Sequence, residues 1–177
     1  MTRWIGLTGP MGAGKDYAFK TMLDMGAKVV RVSFADGVRR EIEDELGLTE
    51  PLTKPYSPLE RRLLQWWGTD FRRAQDPGYW VKRAENVALS QTKTPVFTDV
   101  RFPNEADMIR WNGGILVRVS APEPMRAARL GMTPPNHRSE TALDGYDWPD
   151  STEILYSRAD TNEYRRQVHL ILRKAGL

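Results

Sequence analysis

The 177-residue chain contains no cysteine. That absence excludes disulfides, thiolate metal sites and cysteine nucleophiles, and it suits a reducing compartment. No apolar run approaches membrane-spanning length, and Met1-Thr2-Arg3-Trp4 lacks the apolar stretch of a signal peptide. The expectation is a soluble protein of the cytoplasm with no membrane association. Charge of one sign is also scarce: 26 basic residues against 23 acidic ones leave a net +3. So mild an excess argues against a protein whose main task is to coat nucleic acid.

What is present is the composition of a globular protein, 40% hydrophobic and 28% charged, in a chain of single-domain size. The arginines gather at Arg61-Arg62, Arg72-Arg73, Arg126 with Arg129, and Arg165-Arg166. Such groups suit solvated helix faces, nucleic-acid contacts or a pocket that collects several phosphates.

One stretch favours the pocket. Gly9-Pro10-Met11-Gly12-Ala13-Gly14-Lys15-Asp16 follows the phosphate-loop spacing G-x-x-x-x-G-K-[ST] except at its last position. Glycines let successive backbone N–H groups turn toward a polyphosphate, the following helix adds its positive dipole end, and lysine adds a full charge. Trp4–Leu7 reads as a strand before the loop, and Tyr17–Met25 as a helix after it.

Strands are expected at 28–34, 95–100, 115–119 and 153–156. Helices are expected from a cap at Asp36 to about Leu46, from Ser57 to Trp67, from Tyr79 to Ser90, from Asn104 to Asn112, around Arg126 and Arg129, and over 161–174. In the helix after Asp36, the polar face Arg39, Arg40, Glu41, Glu43 and Asp44 reads as mostly solvated. In the helix from Tyr79, the apolar side is Trp80, Val81, Ala84, Val87 and Ala88. Residues 131–150 read as a long loop with a turn of helix near Ser139–Leu143, of a length often found in lids. Strands alternating with helices make this an α/β chain with a parallel sheet.

Lys15 is the candidate to lie against the terminal phosphates of a nucleoside triphosphate. Asp16 stands where a metal-binding hydroxyl is usual. It suits either a Mg²⁺ ligand or a carboxylate stabilising the first turn of its helix. Asp99 ends an apolar strand, where open α/β sheets present ligand-contacting groups. It is a second candidate near the metal, with helix capping as its plain alternative. Arg101 has the planar fork for an acceptor phosphate. Arg126, Arg129 and Arg138 flank or occupy the candidate lid. His137, among them, belongs to no triad or metal set.

Gly9–Asp16, Phe34-Ala35-Asp36, Leu64-Gln65 with Gly68-Thr69-Asp70, Asp99-Val100-Arg101-Phe102-Pro103-Asn104-Glu105 and His137-Arg138-Ser139-Glu140 occur in an order that resembles the phage-type deoxynucleoside monophosphate kinases. The likeness covers roughly residues 4–145. It implies a three-layer P-loop fold with a five-stranded parallel sheet, all within one kinase domain over 1–177. A helical monophosphate-binding region would cover about 36–90 and a lid region about 122–150. It implies ATP and Mg²⁺ as cofactors, a deoxynucleoside monophosphate as substrate, and a diphosphate as product. If the source is a phage, the setting would be deoxynucleotide biosynthesis in the host cytoplasm.

By position, Gly9, Gly12, Ala13, Gly14, Lys15, Asp16 and Tyr17 would hold ATP, with Asp16 and Asp99 near the metal. Asp36, Arg39, Gln65, Arg72, Arg101, Asn104 and Glu105 would bind the substrate. Lys15, Arg101, Arg126, Arg129 and Arg138 would stabilise the transferred phosphoryl group. Tyr156–Thr161 departs from the Asn-x-Gly-Thr turn the resemblance leads one to expect, which bears on the contacts of the ATP base.

Two other functions fit parts of the sequence. One is another small-molecule P-loop kinase, of dephospho-coenzyme A kinase type. The other is a P-loop protein that binds nucleic acid through its arginines and paired tryptophans. The resemblance favours a small-molecule partner and no specific nucleic acid. Trp66-Trp67 suits either a core or an interface, which leaves monomer and homodimer both open.

Overall fold

A computed structural model describes residues 3–131, 138–149, 152–156 and 160–177. The chain divides into two compact units, Val32–Ser90 and the remainder on either side of it.

The larger unit is built on parallel strands β1 (Ile5–Thr8), β2 (Val29–Val32), β3 (Thr94–Val100), β4 (Ile115–Ser120) and β5 (Glu153–Tyr156), in the order β2-β3-β1-β4-β5. The connecting helices are α1 (Lys15–Asp24), α6 (Pro103–Trp111), α7 (Glu123–Leu130), the short α8 (Arg138–Thr141) and α9 (Thr161–Lys174), with α2 to α5 belonging to the other unit.

β1 is buried at all four positions and β3 at six of seven, as strands covered on both faces must be. Ile5, Leu7, Val117 and Val119 pack with Ala18 and Met22 of α1 and with Val168, Ile171 and Leu172 of α9. The α9 residues recur at the helical period, and Asp160 caps the helix by accepting from the N–H groups of Asn162 and Glu163.

The strand order positions the site. β1 lies between β3 and β4, and Thr8 is in register with Val100. The chain therefore leaves two adjacent parallel strands at the same end, into Gly9 from β1 and into Arg101 from β3. Such a point, where neighbouring strands feed connections in opposite directions, is where open α/β sheets bind ligands.

The second unit holds α2 (Phe34–Glu45), α3 (Pro58–Gln65), a π-helical stretch Trp66–Arg72, α4 (Arg73–Gln75) and α5 (Tyr79–Leu89). Ser57 and Glu60 form the expected capping box at the start of α3. Trp80 is its buried anchor, 2% exposed, and donates from Nε1 to the Gly68 carbonyl at 2.8 Å.

Three local expectations are corrected here. Helix α2 starts at Phe34 with Ser33 as its N-cap, so Asp36 lies inside the first turn. Glu41, expected on a solvated face, is 5% exposed because it stands beside Ile42 and one turn after Val38, both in the core. Val87, placed on the apolar side of α5, is 44% exposed. The buried side is Trp80, Ala84 and Ala88, a strict four-residue repeat.

Candidate active site

The loop between β1 and α1 has the backbone that its glycines permit. Gly9 has φ +126°, and a side chain there would bring Cβ to 2.2 Å from the Val119 carbonyl oxygen. Gly12 has φ +77°, and an added Cβ would sit 3.1 Å from the Arg126 carbonyl oxygen. Both positions need glycine on conformational and steric grounds. The loop is thus packed closely against β4 and α7 and leads into a helix start, a setting in which backbone N–H groups can hold a polyphosphate.

Lys15 opens α1 and is buried. Its ammonium donates to the carbonyls of Gly9 at 2.5 Å and Pro10 at 3.1 Å. Burial, and then the neighbouring Arg101 guanidinium, push its pKa down to about 8, against the opposing pull of Glu140, Asp99 and Asp16. Two cations and three carboxylates thus share one electrostatic neighbourhood. A ligand bringing negative charge next to Lys15 and Arg101 would relieve their mutual repulsion.

Arg101 is held at both ends. Its backbone N–H donates to Glu105 Oε2 at 2.7 Å, and the Phe102 N–H donates to the same oxygen at 3.1 Å. Its guanidinium donates to the Ser139 carbonyl at 3.2 Å and to the Glu140 carboxylate. Glu105 is 1% exposed. Glu105, expected at the substrate, thus braces the turn that carries Arg101. Asn104 lies in the first turn of α6, half-buried. Asp99 is the one β3 residue not fully buried.

The arginines of α7 approach the same loop. Arg129 donates from Nη1 to the carbonyls of Gly12 at 3.0 Å and Ala13 at 3.4 Å. The Arg126 side chain covers Gly12, with Cβ 3.2 Å from where a Gly12 Cβ would stand, and its Nε is buried with no partner among the described residues. Arg138 is exposed in α8. His137 and the stretch 157–159, where the departure from the expected turn falls, lie outside the described residues. Asp16 is exposed in the first turn of α1, a place compatible with both of its readings. Tyr17 is 53% exposed and its ring packs on Tyr164, centroids 5.1 Å apart. Among the described residues no three acidic or histidine side chains gather as a metal cage. A Mg²⁺ ion here would be held chiefly by phosphate oxygens and water, with Asp16 and Asp99 in support.

The remaining predicted residues lie in the Val32–Ser90 unit. Arg39 pairs with Asp36 at 2.9 Å and donates to the Tyr56 hydroxyl at 3.1 Å. Gln65 ends α3, and its amide makes no hydrogen bond among the described residues. Arg72, expected at the substrate, joins a hydrogen-bond network around Glu41. The Glu41 carboxylate accepts from Arg72 Nε at 2.5 Å, Trp67 Nε1 at 2.9 Å, Tyr79 Oη at 2.5 Å and Arg83 Nη1. Burial pushes this carboxyl up, but donation from Tyr79, Trp67 and Arg72 outweighs it and holds the group below the ordinary carboxylate range. Trp67 is half-buried and bonded to Glu41, whereas Trp66 is 49% exposed and stacked on Phe71.

Two features of the network and the loop escaped the sequence. Glu41 is hidden because its donors come from the π-helical stretch and α5. Glu140 stands in the His137–Glu140 motif, yet nothing local says that its carboxylate reaches Met11, 129 residues away.

No protein-family model matches the chain. Over 143 residues, 67% of this chain and 74% of the relative, it is 27% identical to a protein of Acanthamoeba polyphaga mimivirus named "Putative deoxynucleotide monophosphate kinase". A gluconokinase from Sinorhizobium meliloti 1021 is similar in structure, with 17% identity, 98% of this chain and 93% of that one covered, and a TM-score of 0.58. The shikimate kinase of Acinetobacter baumannii is similar at 17% identity, 98% and 93% coverage and a TM-score of 0.53. These likenesses show the fold: the chain carries that of the P-loop kinases.

Proposed function

We propose that the chain is an ATP-dependent kinase that phosphorylates a deoxynucleoside monophosphate, giving the diphosphate and ADP. The observation that carries this reading is the register of Thr8 with Val100. It sets the Gly9–Asp16 loop beside Arg101, and we read the loop as the cradle of one phosphate group and the guanidinium as suited to a second. The name of the mimivirus relative supports the choice of acceptor, as does Gln65, whose amide has both a donor and an acceptor to offer a base.

Each residue has a physical task in this reading. Mg²⁺-ATP supplies the phosphoryl group. The loop N–H groups and Lys15 hold its phosphates, with Asp16 and Asp99 toward the metal. Arg101, aimed by Glu105, neutralises the acceptor phosphate, whose charge would otherwise repel the donor. Arg126, Arg129 and Arg138 supply further positive charge near the transferred group. Asp36, Arg39 and Gln65 are assigned to the acceptor nucleoside, and Arg72 to holding their unit together.

A coupled assay with ATP, Mg²⁺ and each of the four common deoxynucleoside monophosphates tests the proposal. ADP release that depends on one or more of them is expected. Turnover on none, together with turnover on another phosphate-accepting metabolite such as dephospho-coenzyme A, would reassign the acceptor.

A further inference from the structure

The phosphate loop and Arg101 already share an anion, and it belongs to the protein. Glu140 Oε2 accepts the Met11 N–H at 3.2 Å, and Oε1 accepts the Arg101 guanidinium. The Glu140 side chain is only 10% exposed, and its charge is felt by Lys15. One oxygen on a loop amide and one on an arginine is the pattern a phosphoryl group would make with the same donors. The carboxylate is carried by α8, a four-residue helix with no buried residue.

We propose that Glu140 is a built-in anion that occupies part of the phosphate site and is displaced when a polyphosphate binds. This rests on the reading of Gly9–Asp16 as a phosphate loop. Two negative groups cannot share the Met11 amide and Arg101 without strong repulsion in a partly buried setting. Ligand binding therefore includes the cost of releasing the carboxylate, which lowers apparent affinity by the fraction of molecules in which the donors are free. In return the loop and Arg101 are kept oriented, and their charges compensated, between ligands. Release of Glu140 leaves the Ser139 carbonyl as the α8 group still accepting from Arg101, so the hold of α8 on the site weakens when the loop is occupied.

The test is calorimetric titration of tripolyphosphate and of ADP into the wild-type chain, Glu140→Gln and Lys15→Met at low, fixed ionic strength. The glutamine keeps the shape and removes the charge. The expected result is affinity about tenfold tighter for Glu140→Gln than for wild type, with binding lost in Lys15→Met. Equal or weaker binding by folded Glu140→Gln, with wild type still binding, would overturn the proposal alone and make Glu140 a fixed support for Arg101. No binding by either would overturn the phosphate-loop reading with it. Should the glutamine variant misfold, Glu140→Ala carries the same expectation, because it too removes the competing charge, from a helix with no buried residue.

Discussion

Lys15 keeps its ammonium in a buried place, beside another cation, and satisfies it with the carbonyls of Gly9 and Pro10. The arrangement favours function over stability, because a charge that no acid fully compensates opposes folding. The sign of the pH effect follows. The folded pKa is about 8, below the ordinary lysine value of 10.5. Below pH 8 both folded and unfolded chains carry the proton, and the full penalty is present. Between pH 8 and 10.5 the unfolded chain binds more protons than the folded one, so stability rises with pH. Urea unfolding at pH 7.5 and 9.5 should show wild type gaining about 2 kcal/mol relative to Lys15→Met over that interval. An equal pH response in the two proteins would refute the shifted lysine. The same variant should have lost phosphoryl transfer.

At the scale of elements, the turn from β3 into α6 is the joint on which the site depends. Glu105 is in the first turn of α6, where the helix dipole favours a carboxylate, and it accepts two N–H groups that the turn would otherwise leave unpaired. Glu105→Ala should cost about 2–3 kcal/mol, as buried donors lose a charged acceptor. It should also lower kcat/KM for the acceptor more than for ATP, because the displaced group is Arg101. Thermal or urea unfolding and initial rates check the two halves separately. A variant with lowered stability but unchanged acceptor kinetics would show that the turn does not aim Arg101. In the Val32–Ser90 unit the comparable joint is Glu41, which links α2 to the π-helical stretch and to α5 through four donors. A π-helical run of seven residues is longer than the single-turn bulges usual in proteins. It brings Trp67 and Arg72 onto the same carboxylate.

At the scale of the whole molecule, charge bears on the choice of partner. The net +3 is spread over a chain of 177 residues, and several arginines are paired internally, among them Arg39, Arg72, Arg83 and Arg101. A net charge this small, with guanidiniums committed to carboxylates of the same chain, is a poor counterpart for a row of nucleic-acid phosphates. Fluorescence anisotropy with a labelled single-stranded or duplex DNA should show no tight binding in 50 mM salt. Micromolar or tighter binding that falls steeply with added salt would favour the nucleic-acid reading. Among the described residues no helix is long and apolar enough to cross a membrane.

Much of this architecture was legible along the chain. The alternation of elements, the glycine-rich loop, the capping box at Ser57 and the extent of α9 rest on short-range physics: backbone freedom, helix caps and the period of apolar residues. Those forces act between neighbours in sequence, so a sequence determines them by itself. The tertiary structure decided which distant groups meet. That β3 lies against β1, and so brings Arg101 to the loop, is a matter of strand order, which no local pattern encodes. That Glu41 is buried depends on donors from other helices, without which its desolvation would go uncompensated. That Glu140 reaches Met11 and Arg101 depends on where α8 comes to rest. The P-loop fold was therefore readable from one loop and the alternation of elements, whereas the charges gathered around that loop became visible only in three dimensions.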